Sequence, residues 1–187
     1  CLLPNETERE KLNIRYIYDN HKCMSIGETR NISITHCTND IVVFMDDDDY
    51  YPPDSVLTRV SHLLHYNKKM VGCSILGCFN INKFISYIYS EPVLSQYHRR
   101  ISPATLCFYK NIITDKCRFN DDNIFECETI FKNISYPEFK EINWENIIVS
   151  ISHKNNTTNR KTPNTKANGS HYGWSEKLFK FIAELDD

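Results

Sequence analysis

Residues 46–49 are four consecutive aspartates, placed directly after the apolar run Ile41-Val42-Val43-Phe44-Met45. Carboxylates this close repel one another, and burial makes the repulsion worse. A hard divalent cation relieves it. Mg²⁺ or Mn²⁺ takes oxygen ligands at about 2.1 Å and keeps positions open for phosphate oxygens. If extended geometry persists past Met45, Asp46 and Asp48 face one side of the strand and Asp47 and Asp49 the other. Paired carboxylates at the C-terminal end of a strand sit where open α/β sheets bind ligands. The competing reading is a solvated acidic loop, or a set of helix caps before residue 54, that needs no cation.

The flanking sequence predicts the elements that hold this cluster. "IVVFM" has no polar alternation and is rich in β-branched residues, as expected of a strand covered on both faces. Upstream, "SIGETRNISITHCTND" at 25–40 reads as a loop and then a helix. Its Thr29, Ser33 and Cys37 recur every four residues and form a small-residue face able to lie close on a sheet. Asn39 stands where a left-handed helix stop is expected. Downstream, Pro52, Pro53 and Asp54 open a helix whose apolar stripe is Val56, Leu57, Val60, Leu63 and Leu64. Strands are predicted at 12–19, 70–81, 104–113 and 146–152, with a short helix at 126–134. The polar stretch 154–173 reads as a mobile loop, and "WSEKLFKFIAEL" at 174–185 as an amphipathic helix.

The chain has 187 residues, a formal net charge of −2 and 41% hydrophobic residues, which suits one domain over 1–187 with a real core. No apolar run approaches the roughly 20 residues of a membrane span. Basic residues are scattered, densest at His98-Arg99-Arg100, so a nucleic-acid partner is not expected. Eight cysteines without a C-x-x-C pair point to reduced, mostly buried thiols rather than zinc or a disulfide framework, and a cytoplasmic setting follows. The opening "CLLPNETERE" lacks the basic n-region and apolar stretch of a signal peptide.

"GETRNISITHCTNDIVVFMDDDDYYPPDSV" resembles the GT-A-fold, family 2-like nucleotide-sugar glycosyltransferases. Their pattern runs G-x-A-R-N, a helix with small residues, and an apolar strand ending in D-x-D-D. Gly27, Arg30 and Asn31 match, Thr29 replaces the small residue, and Asp46-Asp47-Asp48 forms the D-x-D. "RRISPATLCFYKNII", "FECETIF" and "IIVSISHKNNTTNRK" look like later blocks of the small glycosyltransferase domains of giant DNA viruses, so the likeness covers about residues 12–160. If the chain is viral, host cytoplasm or virion is its expected place.

The resemblance implies an α/β fold with a mixed, mainly parallel central sheet flanked by helices. It implies metal-dependent transfer of a sugar from a nucleotide diphosphate donor, a UDP-sugar above all, to a hydroxyl on a glycan or protein, with inversion at the anomeric carbon. Asp46, with Asp47, Arg30 and Arg100, would bind the nucleotide-sugar. Asp48 and His153 would hold Mn²⁺ or Mg²⁺, with His171 a rival to His153. Glu128, before the x-x-F of "FECETIF", would be the catalytic base, in preference to Glu126 two residues earlier. Family members carry two further strands upstream, with an acidic uracil-binding residue. That half of the pocket is expected in residues preceding Cys1.

Two other functions fit part of the pattern. One is a sugar-nucleotide or glycan-binding module without turnover. The other is a haloacid-dehalogenase-like phosphatase, which also opens with an apolar strand and D-x-D and uses the first aspartate as nucleophile. The phosphatase pattern wants Thr or Val where Asp49 stands, and a later apolar strand before "FNDDN" at 119–123, which is lacking.

Overall fold

The computed structural model describes residues 5–17, 24–90, 100–154, 156, 180 and 182. In chain order the elements are α1 (Glu6–Lys11), α2 (Ile26–His36), β1 (Ile41–Val43), α3 (Ser55–His65), β2 (Met70–Gly72), β3 (Ile75–Asn80), β4 (Ile85–Ser90), β5 (Cys107–Tyr109), α4 (Glu128–Asn133), β6 (Phe139–Glu141) and β7 (Val149–Ser152). The strands form two sheets, ordered β1-β5-β2-β6 and β4-β3-β7. The expected mixed α/β architecture is present, but its sheet is not mainly parallel. β5 runs antiparallel between β1 and β2, and β3 and β4 form an antiparallel hairpin. Only β2–β6 and β3–β7 pair in parallel among the described strands.

The core beneath the aspartates follows from this pairing. Val42, Phe44, Phe108 and Phe119 are buried together, with Phe44 edge-on to both other rings. β1 lies at the end of its sheet, paired with β5 alone among the described strands, so it is less enclosed than its apolar run suggested. The two sheets meet at the acidic loop. Tyr50 and Val149 exchange backbone hydrogen bonds of 3.0 and 2.8 Å, tying the segment after the aspartates to β7.

α3 buries a different face from the one its apolar residues predict. Ser55, Arg59 and Leu63 are buried, whereas Val56, Leu57 and Leu64 are 43%, 66% and 55% exposed. The reason is Arg59. Its Nη1 donates to the Phe44 carbonyl at 2.7 Å and the Ala104 carbonyl at 3.4 Å, and Nη2 donates to Ser55 Oγ at 3.1 Å. β1 ends at Val43 and leaves the Phe44 carbonyl without a ladder partner. A buried carbonyl must be paired, and the helix turns to present the arginine. Burial lowers the guanidinium pKa.

Other expectations fare unequally. The strand expected at 12–19 is not one over its described part: residues 12–13 form a turn, and Ile14, Tyr16 and Ile17 are exposed beside no described strand. Alternation without a neighbouring edge to pair with does not make a strand. α2 does form, opened by a capping box in which Ser25 Oγ accepts from Glu28 N and Glu28 Oε2 from Ser25 N. Its C-cap is Cys37 in an extended conformation, so Asn39 is no left-handed stop. The six described cysteines are free thiols, all but Cys37 buried, and burial pushes Cys73 and Cys107 up to about 12. The expected loop at 154–173 and helix at 174–185 lie outside the described residues, apart from residues 154, 156, 180 and 182. Ile182 is buried beside Phe79, Val149 and Ile151.

Replacing Arg59 with Met keeps the volume but strands the Phe44 and Ala104 carbonyls. The expected loss is about 2–4 kcal/mol in urea unfolding, with Arg59→Lys recovering only part of it because an ammonium lacks the planar fork.

Candidate active site

The four aspartates end β1 on one wall of an open cleft of about 680 Å³. Thr29, Arg30 and Ser33 of α2 line it too, as do Ser150, Ser152 and Asn156. The small-residue face of α2 therefore borders the cleft and does not lie tight on a sheet; Thr29 and Ser33 are exposed.

Each aspartate has its own surroundings, because the chain leaves β geometry at Phe44 and turns at 47–48. Asp46 pairs with Arg30, whose Nη2 lies 3.0 Å from Oδ1, and its backbone N–H donates to the Tyr51 hydroxyl at 2.8 Å. Burial raises the Tyr51 pKa, and the Asp49 and Asp46 carboxylates raise it further, so the phenol stays neutral. Asp47 is exposed. Asp48 Oδ2 lies 3.1 Å from His153 Nε2 and accepts from Asn156 Nδ2 at 3.0 Å. Asp49 is buried and caps β7, accepting from Ser150 Oγ and the Ile151 N–H, both at 2.8 Å. It is a structural anchor. Much of the repulsion expected among the four acids is thus relieved by the protein itself.

Arg30 also reaches backward. Its Nε donates to Glu126 Oε1 at 3.3 Å, and the guanidinium lies 4.9 Å from the centroid of the Phe44 ring. Burial alone would lower the Arg30 pKa, but the carboxylates of Asp46 and Glu126 outweigh it and the net shift is upward. Burial raises the Glu126 pKa against the lowering effect of Arg30.

The other residues of the G-x-x-R-N stretch bind the same segment as Arg30. Asn31 donates to the Phe119 carbonyl at 2.8 Å and accepts from the Phe119 N–H at 3.0 Å. Gly27 N–H donates to the Asp122 carbonyl at 3.0 Å, and a Cβ on Gly27 would lie 1.6 Å from the Asn120 carbonyl oxygen. Glycine is required there by close approach of two backbones.

The structure therefore brings Arg30, Asp46, Asp47, Asp48 and His153 to one place. It does not bring Glu128 or Arg100 into the lining of that cleft. Glu128 opens α4 and pairs with Lys132 at 2.6 Å, and Arg100 Nη2 lies 4.0 Å from Glu141 Oε2. His171 lies outside the described residues. Sequence reasoning missed Asn156, which gave no signal within a run of polar turn-formers, and the buried orientation of Glu126. Asp46 is engaged by Arg30, which lowers the nucleophilicity a phosphatase would require of it.

Among the described residues no three His, Cys, Asp or Glu side chains converge as a metal cage. The Asp48–His153 pair nonetheless fits a divalent ion. Two donors each about 2.1 Å from an ion and at right angles to one another stand about 3 Å apart, and this oxygen and nitrogen are separated by 3.1 Å, with Asp48 in the lining of the cleft. Mg²⁺ and Mn²⁺ commonly take one or two protein ligands and complete their shell with phosphate and water.

The family model for glycosyl transferase family 2 matches residues 5–129. The match takes in α2, the aspartates and Glu128, and stops before His153. Among solved structures, S. aureus TarS 1–349 in complex with UDP-GlcNAc resembles the chain with a TM-score of 0.59 at 15% identity, over 81% of this chain and 46% of that one. The chain thus spans less than half of that structure, and the likeness identifies the fold as GT-A. No curated protein matches the chain.

Gly27→Ala forces the Asn120 carbonyl away, and Asn31→Ala leaves two Phe119 backbone groups unpaired. Each is expected to cost about 1–3 kcal/mol in chemical denaturation, and protease cleavage within 119–126 is expected to rise in both variants.

Proposed function

The chain belongs to glycosyl transferase family 2, and from that premise we propose that it transfers a sugar from a nucleotide diphosphate donor to a hydroxyl acceptor, with Mn²⁺ or Mg²⁺ as cofactor. The observation that carries this reading is the pair formed by Asp48 and His153 at 3.1 Å, with Asp46 and Asp48 both lining the cleft. The UDP-GlcNAc bound by TarS makes a UDP-sugar the first donor to test.

Asp48 and His153 would hold the ion through one carboxylate oxygen and one imidazole nitrogen. The ion, when bound, supplies Lewis acidity toward the departing diphosphate. Asp46, oriented by Arg30, and exposed Asp47 would take hydroxyls of the donor. Arg100 is a further candidate for the substrate's charge. The acceptor oxygen attacks the anomeric carbon, the bond from that carbon to the diphosphate oxygen breaks, and the hydroxyl proton passes to a general base, for which Glu128, on α4 outside the described lining of the donor cleft, is the proposed residue on the acceptor side. Attack opposite the leaving group inverts the anomeric centre. The Glu128–Lys132 pair lies at the surface, where such pairs contribute little, so the carboxylate is cheaply released to this role.

Incubation with UDP-GlcNAc and MnCl₂, with and without glycan acceptors, should release UDP, and EDTA should abolish the release. Asp48→Asn is expected to lower the rate about 100-fold or more. Glu128→Gln should lower kcat about 100-fold while donor affinity stays within a factor of about two. Metal-dependent binding of UDP-GlcNAc without release would instead identify a binding module, and hydrolysis of phosphomonoesters a phosphatase.

A further inference from the structure

Glu126 is a buried carboxylate that the transfer reaction leaves without a part. Its side chain is 8% exposed and that of Arg30 is 11% exposed, whereas Asp46, on the other side of the guanidinium, is 36% exposed and borders the cleft. The three form a line from interior to substrate side: Glu126 on Arg30 Nε at 3.3 Å, and Arg30 Nη2 on Asp46 at 3.0 Å.

The backbone is arranged to send this carboxylate inward. Phe125, just before it, has φ of 61°, a left-handed conformation that is strained for an aromatic residue. The Glu126 carbonyl accepts from Asn120 N at 2.7 Å, and Cys127, just after it, is buried in the core at the start of α4. A carboxylate buried by a strained turn carries a desolvation cost, which here a backbone hydrogen bond and the partner guanidinium offset. The partner, Arg30, is the residue that fixes Asp46.

We infer that Glu126 is a positioning residue for the donor: it holds the Arg30 guanidinium by Nε so that Nη2 keeps Asp46 turned into the cleft. The role rests on the transferase reading above. Without Glu126, Arg30 retains its charge and its contacts with Asp46 and Phe44 but loses the Nε anchor that fixes the direction in which it holds Asp46. Glu126 also begins the segment leading into α4, so the same contact keeps the donor wall and the Glu128 helix in one register.

The test is calorimetric binding of UDP in the presence of MnCl₂ to wild type, Glu126→Gln, Glu126→Asp, Arg30→Lys and the Arg30→Lys/Glu126→Gln double variant, with the Tm of each. Glu126→Gln is expected to weaken UDP binding about tenfold and to add little to Arg30→Lys, since residues of one network couple. Glu126→Asp, which keeps the charge, should recover part of the loss. A purely structural role predicts a lower Tm with UDP affinity within about twofold of wild type for the folded protein, and that result overturns the inference, as does full additivity in the double variant. Should Glu126→Gln fail to fold, the Glu126→Asp and Arg30→Lys affinities decide it: both unchanged overturns the positioning role. Wild-type protein that binds no UDP overturns the transferase reading and this inference together, and is told apart by failing before any substitution is made.

Discussion

The structure turns on the placement of one guanidinium. Arg30 stands between Asp46, at the cleft, and Glu126, in the interior, and it packs on Phe44 at the end of β1. The rest of its neighbourhood serves to bring those three residues together. Gly27 lets α2 approach the 119–126 segment backbone to backbone, and Asn31 pairs both polar groups of Phe119 as a sheet neighbour would. What looks in the sequence like a helix motif is a clamp joining α2 to a segment about ninety residues away in the chain.

Behind the aspartates a second arginine does a different task. Arg59 binds carbonyl and hydroxyl oxygens, and so fixes backbone rather than balancing a carboxylate. Asp49 does the converse, a charge used to hold the start of β7 through Ser150 and Ile151. Between them, the ends of two strands from different sheets are set beside one another, and Asp48 of one faces His153 of the other. The proposed ion-binding pair is thus a product of the junction between sheets, with the Tyr50–Val149 bridge as its hinge pin.

Much of this could be read from the residues. The apolar run before the acids and the loop-then-helix pattern of 25–40 specify local geometry through short-range chemistry, and β1 and α2 lie where those signals put them. The readings that failed are those in which a long-range polar requirement outranks a local apolar pattern. α3 exposes Leu57 and buries Arg59 because the Phe44 carbonyl needs a donor, which no helical periodicity reveals. Residues 12–17 alternate as a strand does, yet strand formation depends on a neighbour that the sequence cannot guarantee. Glu126 and Glu128 are two residues apart, so periodicity treats them as similar. Which one is buried depends on the left-handed turn at Phe125, at a residue type for which such a turn is unexpected.

Charge supplies the last step. Asp46 to Asp49 and Glu126 set five carboxylates around the cleft and its floor, against the guanidinium of Arg30 and that of Arg59 behind them. The protein relieves enough repulsion to fold, through Arg30, the Asp49 cap and the Asp48–His153–Asn156 contacts, but among the described residues the lining of the cleft remains net negative. A diphosphate brings further negative charge, and at short range in a partly desolvated site two such groups repel by several kcal/mol. On the proposed reading, a cation entering with the ligand or ahead of it would offset that repulsion. Asp47 is exposed and Asp48 meets the His153 and Asn156 side chains, whereas Asp46 is paired with Arg30 and Asp49 is buried against Ser150 and the Ile151 N–H. An acidic cluster that served only to cap helices would not set its four carboxylates in such different surroundings.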